Sequence, residues 1–99
     1  MPIIAVSRWQ IDPEQARQLV REGAPILRQH GAQSVTIGMI RTGTHVGQTT
    51  VAVAFANHEA FGKAQEALHN DSNYQKVMEQ ANAKGQLQDR IILTVEEIQ

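Results

Sequence analysis

Four segments of the chain are rich in apolar and β-branched residues, and their side chains alternate between two faces as in β-strands. The segments are residues 3–11, 32–43, 49–57 and 87–98. The third would present Val51, Val53 and Phe55 on one face and three alanines on the other. Apolar residues stand on both faces, so these strands do not read as a sheet with one side open to water.

Apolar residues recur at helical spacing between the first and second predicted strands, and again between the third and fourth. Asp12 is a typical N-terminal capping residue for the first helix. Gly31 is a typical residue to end that helix in a left-handed conformation. Pro25 lies inside this helix and predicts a kink or a locally broken hydrogen-bond ladder. The second helical region begins after Asn57, a second capping residue, and ends at Gly85.

The second helical region carries the polar run "NDSN" at residues 70–73, with helical apolar spacing on both sides. Asn70 or Asp71 can cap a new helical segment by accepting a hydrogen bond from a free backbone N–H. The run therefore predicts a kink, cap or short break, followed by a Tyr74 that is at least half buried.

The order of elements is β-α-β-β-α-β over a single domain, residues 1–99. Right-handed crossovers and short connections make this an α+β, ferredoxin-like fold with an antiparallel sheet in the order 4-1-3-2. One layer of helices covers one sheet face only. The other apolar face predicts a homodimer in which a second copy of the chain covers it.

Composition excludes several classes of partner. The net charge of −1 leaves no basic excess for nucleic acid, and no apolar run is long enough to span a membrane. The N-terminus has no positive segment ahead of its apolar run, and the chain has no cysteine. These features predict a cytoplasmic protein without disulfides or thiolate chemistry.

The βαββαβ order, the two apolar sheet faces and the interrupted second helix with Asp71 and Tyr74 resemble the dimeric α+β barrel superfamily. That superfamily includes antibiotic-biosynthesis monooxygenases and NIPSNAP-type proteins. The resemblance implies a homodimer with face-to-face sheets. It also implies a hydrophobic pocket with a few polar groups, for which this chain supplies Trp9, Asn57, His58 and His69.

The first strand and the second helix hold the candidate residues of such a pocket: Ser7, Trp9, Asn57, His58, Gln65 and His69. His58 and His69 are close to three helical turns apart and share a stripe with Gln65 and Gly62. Gly62 leaves space beside the two imidazoles, so the stripe could line a pocket. The alternative is that the glycine allows close packing of helix on sheet.

Three arginines are predicted to lie toward one end of the sheet, beside the start of the first helix: Arg8, Arg41 and Arg90. Such a cluster could receive a carboxylate or a phosphate. The alternative is ordinary pairing with nearby acidic residues, among them Asp89.

Three functional classes remain open. The first is a protein that binds a small apolar or aromatic ligand between helices and sheet, without catalysis. The second, implied by the resemblance, is a cofactor-independent monooxygenase-like enzyme acting on a bulky aromatic substrate. The third is haem binding with His58 or His69 as axial ligand. His30 and His45 have no histidine or carboxylate at metal-ligand spacing, and no H-x-H or H-x-x-x-H pair occurs, so no metal is predicted. The first two classes need no cofactor, and none is predicted; only the haem alternative would require one.

Overall fold

The structure is a computed structural model that describes all 99 residues. They form four strands and three helices, joined by turns and loops. In chain order these are β1 (Ile3–Gln10), α1 (Pro13–Gln29), β2 (Ser34–Met39), β3 (Thr49–Phe55), α2 (His58–His69), α3 (Ser72–Lys84) and β4 (Gln86–Thr94). The predicted order of elements is confirmed, with the second helical region divided into α2 and α3. No helix has the length and apolar character needed to cross a membrane.

The four strands form one antiparallel sheet in the order β2-β3-β1-β4. This is the predicted order 4-1-3-2 read from the other edge. In the register, Ala5 on β1 stands opposite Val53 on β3 and Ile92 on β4. Residues that pair across antiparallel strands share a face, so the register assigns each paired residue to one side of the sheet. The pairing of β1 with β4 shifts between Arg8 and Trp9, which leaves Gln88 unpaired.

The helices cover the sheet face that carries Trp9, Val53 and Phe55. Two buried clusters hold this layer together, one centred on Phe55 with Leu27 and Leu68, the other on Trp9 with Leu19 and Ala81. The ring of Phe55 also meets that of Phe61 edge-on, with centroids 5.4 Å apart. Burial of these side chains fixes how the three helices lie on the sheet.

The opposite sheet face is exposed in the single chain and carries an apolar patch, called here the open face: Ile4, Val6, Ala52, Ala54, Ile91 and Leu93. The side chains on the edge strand β4 are the most exposed of the set, Ile91 at 48% and Leu93 at 44%. The sequence did not say which face the helices cover. The structure places Val53 and Phe55 under them and the alanines of β3 on the open face.

The run at residues 70–73 divides the second helical region as predicted. The Asp71 carboxylate accepts hydrogen bonds from the backbone N–H groups of Asn73 (2.9 Å) and Tyr74 (3.1 Å) and so caps α3. Its second oxygen lies 2.8 Å from Nε2 of His30, at the end of α1. Asp71 therefore joins the start of α3 to the end of α1, and Tyr74, more than half buried, follows it.

Two local expectations are adjusted by the structure. α1 continues through Pro25, which is exposed and supplies no N–H to the preceding turn, and the helix ends at Gln29 before Gly31 with φ of 109°. β2 is shorter than residues 32–43 because Ala32 is buried in the core and the residues after Met39 form a loop.

Candidate ligand-binding site

A cavity of about 340 Å³ lies between the three helices and the sheet face that they cover. Of the 25 residues that line it, 18 are hydrophobic. β1 and β3 form its floor, with Ala5, Val51 and Val53, while the helices contribute residues such as Leu19 and Val77. Protein interiors leave few voids larger than a water molecule, so a space of this size in so small a domain is a feature of the fold to be explained.

Trp9 and Ser7 lie side by side on the cavity floor. Both are on β1, two residues apart, and therefore on the same face. The indole Nε1–H of Trp9, a residue only 7% exposed, donates a hydrogen bond of 2.8 Å to Oγ of Ser7. This bond fixes the plane of the indole and occupies its one donor, leaving the hydroxyl hydrogen of Ser7 free to donate.

Thr49 is the first residue of β3 and stands opposite Trp9 in the sheet. It lines the cavity, is 1% exposed, and its Oγ1 has no hydrogen-bond partner. A buried hydroxyl without a partner is uncommon because its desolvation is not offset. Thr49 is thus an unpartnered polar group beside the cavity, and because its Oγ1 is itself buried, a ligand atom would reach it only after the side chain rotated toward the cavity.

Polar side chains line the part of the cavity that reaches solvent. Gln65 and His69 come from α2, Gln75 from α3 and Arg90 from β4, and all four are exposed. Gln75 donates a hydrogen bond of 2.7 Å to the backbone carbonyl of His69, which connects the two helices across their junction.

Tyr74 stands among these groups on α3 and also lines the cavity. Burial raises the pKa of Tyr74 above its ordinary value of 10.0, and the positive charge of Arg90 acts in the opposite direction. The Tyr74 hydroxyl is therefore protonated at neutral pH and can donate a hydrogen bond to a ligand.

The structure brings together four of the six predicted pocket residues. Ser7, Trp9, Gln65 and His69 line the cavity, and Asn57 and His58 do not. The Asn57 side chain accepts a hydrogen bond of 2.8 Å from the Ala60 N–H and caps α2. His58 is the exposed first residue of that helix.

Gly62, which the sequence placed between the two histidines, lies away from the sheet. It is exposed, and a Cβ added there would meet no atom within 4 Å. It therefore neither lines the cavity nor allows a close approach of α2 to the sheet.

The three predicted anion-site arginines are not brought into one site. Arg8 lies on the side of the sheet away from the helices, where it bonds to the Gln48 side chain and lies 4.0 Å from the Asp89 carboxylate. The expected pairing with an acidic residue is thus present for Arg8. Arg41 is exposed in the loop after β2, and only Arg90 lines the cavity.

Three polar residues of the cavity wall were not singled out as site residues by the sequence: Thr49, Tyr74 and Gln75. Thr49 shares the alternation of Val51 and Val53, so its position on the helix-covered face could have been read from the pattern. The structure shows no group of three or more histidine, aspartate or glutamate side chains that could hold a metal ion.

Comparison with solved structures defines the class of fold. SnoaB, a cofactor-independent oxygenase from Streptomyces nogalater, superposes with a TM-score of 0.76 at 13% identity, over 98% of this chain and 95% of that one. A NIPSNAP family protein from Agrobacterium tumefaciens gives 0.70 at 16% identity, over 98% and 95% of the two chains. A dimeric ferredoxin-like protein from an uncultured marine organism gives 0.69 at 11% identity, over 97% and 98%. The chain thus has the ferredoxin-like α+β fold of NIPSNAP-type proteins, and the predicted fold class and resemblance are confirmed.

The sequence itself identifies a narrower family. Residues 4–90 match the family described as Domain of unknown function (DUF6854), and the chain belongs to that family. Comparison with curated proteins gives no match.

Proposed function

We propose that the chain binds a small apolar or aromatic molecule in the cavity between helices and sheet. The observation that carries the proposal is an apolar space of about 340 Å³ whose wall also holds the polar side chains of Ser7, Gln65 and His69. Ligand sites are concave, mainly apolar and about 300–1,000 Å³ in volume, with a few polar groups that orient the ligand. This cavity has that combination, and Trp9 gives it a flat aromatic surface.

The test uses N-phenyl-1-naphthylamine, a neutral aromatic probe whose fluorescence rises in apolar surroundings. We expect saturable binding of one probe molecule per chain. Val51→Phe enlarges a half-buried side chain on the cavity floor and should weaken binding by at least about tenfold, because it occupies the space of the probe. The matched control is Val46→Phe, the same change at a loop residue that is 56% exposed, and it should bind as the wild type does.

Probe binding that is unchanged in Val51→Phe, or equally weakened in Val46→Phe, would contradict the proposal. A second pair on α3 repeats the test from the opposite wall. Ala81 lines the cavity and Ala83 is exposed, so Ala81→Phe should weaken binding and Ala83→Phe should not. Circular dichroism spectra and Tm values of all four variants establish that they are folded.

We propose further that two copies of the chain pack their open faces together. The support is the apolar patch that no element of the single chain covers. Ile91 and Leu93 have nearly half of their surface still to bury, which would contribute about 1 kcal/mol for each side chain. A two-fold axis lets such a patch meet itself and close.

Light scattering at micromolar concentration is expected to give about twice the 11.0 kDa mass of the chain. Ile91→Glu places a charge on the open face and should shift the mass toward the monomer. Ile98→Glu is the matched control, because Ile98 lies beyond β4 and is 82% exposed. A folded wild-type monomer at that concentration would contradict the homodimer.

A cofactor-independent oxygenase acting on a bulky aromatic substrate is the alternative function. The fold shared with SnoaB supports it, together with His69, the one imidazole that lines the cavity, since histidine is the side chain that most often serves as a general base in enzymes. Oxygen consumption with dithranol, an electron-rich polycyclic phenol, tests it. Activity above the protein-free rate that falls in His69→Gln and persists in His45→Gln, a change in the β2–β3 loop, would support catalysis. If the protein binds the neutral probe and shows no such activity, ligand binding without catalysis remains as the function.

A further inference from the structure

The cavity wall has one side chain with a fixed charge, and it is basic. The lining residues include Arg90 and no lysine, aspartate or glutamate. An apolar cavity whose one fixed charge is positive favours a ligand that carries negative charge.

Arg90 is directed to the cavity by the register of the sheet. It pairs with Ser7 on β1, so its side chain leaves the sheet on the face that carries Ser7 and Trp9. Asp89, its neighbour in the sequence, is on the opposite face and lies 4.0 Å from Arg8. The nearest carboxylate along the chain is therefore directed away from the Arg90 guanidinium.

No carboxylate lies within 4.0 Å of the Arg90 side chain, which makes none of the four ion pairs in the structure. Its guanidinium also makes no hydrogen bond to protein, and the Asp89 carboxylate accepts only from the Arg90 backbone N–H. An arginine offers five N–H donors in a planar fork that matches an anionic oxygen group.

Two hydroxyl groups of the wall also have hydrogens to donate. The Ser7 hydroxyl accepts from Trp9 and keeps its own hydrogen. Burial raises the pKa of Tyr74, although the charge of Arg90 opposes this, so its phenol keeps the proton that it can donate. A ligand rich in oxygen acceptors meets these donors better than a hydrocarbon or an amine.

We propose that the ligand is an aromatic acid, with its apolar rings on the cavity floor beside Trp9 and its anionic oxygen group on the Arg90 guanidinium. This inference rests on the proposed ligand-binding function and adds the chemical class of the ligand. The acidic group is a carboxylate, sulfonate or acidic phenolate, which present the same charged oxygens to an arginine.

Two probes with the same ring system test the inference. 8-Anilinonaphthalene-1-sulfonate is N-phenyl-1-naphthylamine with a sulfonate added. Arg90→Gln should lower the ratio of sulfonate-probe affinity to neutral-probe affinity about fivefold, the size expected for a charged hydrogen bond at an exposed arginine. Arg41→Gln removes the same charge from the exposed loop after β2 and should leave both affinities unchanged.

Arg90→Lys should retain part of the preference for the sulfonate, because it keeps the charge and loses the planar fork. Increasing salt should weaken sulfonate binding to the wild type more than neutral-probe binding, which tests the charge without any substitution. If the neutral probe does not bind the wild type, the proposed function fails. If it binds, and Arg90→Gln and Arg41→Gln have the same effect on the ratio of the two affinities, the inference alone is overturned.

Discussion

Replacing Thr49 by valine tests whether the cavity wall really holds an unpartnered hydroxyl. The two side chains have nearly the same shape, so the exchange changes chemistry rather than packing. Thr49 is 1% exposed and its Oγ1 has no partner, and a buried hydroxyl in that state costs about 1–3 kcal/mol. Valine removes this cost and is favoured in strands. We expect Thr49→Val to raise the free energy of unfolding of the unliganded protein by about 1–2 kcal/mol.

Urea denaturation at one fixed protein concentration measures this change, since unfolding of a dimer depends on concentration. Thr94→Val is the matched control: Thr94 is exposed at the end of β4, on the face that carries Ile3 rather than on the open face, and its exchange should alter the free energy of unfolding by no more than about 0.5 kcal/mol. A Thr49→Val variant that is as stable as the wild type, or less stable, would refute the reasoning and show that the hydroxyl already has a partner, such as water in the cavity.

Two further predictions concern the backbone and the helix junction. A Cβ at Gly85 would lie 2.7 Å from Cβ of Ile11, so Gly85→Ala should lower the free energy of unfolding by about 1–3 kcal/mol. Gly62 faces open space inside α2, so Gly62→Ala should raise the free energy of unfolding by about 1 kcal/mol. Equal effects of the two substitutions in urea denaturation would contradict this prediction. The hydrogen bond from His30, followed by those from the backbone of α3, lowers the pKa of Asp71 below its ordinary value of 3.8. The ionised carboxylate therefore stabilises the fold above pH 3.8 and loses this effect as the pH falls through the lowered pKa. At neutral pH Asp71→Ala should lower Tm more than Asp71→Asn, because asparagine keeps a capping oxygen. The decrease in Tm relative to the wild type should become smaller in acid for both variants. A decrease that does not depend on pH would argue against the His30 contact.

The fold was largely predictable because its signals are local. Local patterns predicted the order of elements, and right-handed crossovers with short connections then predicted the sheet order. The capping candidates Asn70 and Asp71 predicted the division of the second helical region, and the structure uses Asp71. Alternation within the first strand placed Ser7 and Trp9 on one face of β1, and both line the cavity.

The composition of the site was less predictable because it depends on register and helix rotation. Arg8 and Arg90 both occupy even positions, yet the register pairs Arg8 with Asp89 and so puts Arg90 on the other face. A shift of one residue in the pairing would reverse that result, and no sequence pattern fixes it. His58 and His69 share a stripe of α2, but only the packing of that helix decides that His69 reaches the cavity and His58 does not.

The central claim, that a ligand occupies the cavity between helices and sheet, is tested most directly at the indole of Trp9. It is the only tryptophan, so its Nε1–H gives a single indole signal in a proton–nitrogen correlation spectrum. The indole lines the cavity and donates to Ser7. We predict that N-phenyl-1-naphthylamine shifts this signal saturably at one molecule per chain, and that Val51→Phe removes the shift while Val46→Phe keeps it. Saturable binding of the probe with the Trp9 signal unmoved would contradict the account, because the probe would then lie elsewhere on the protein.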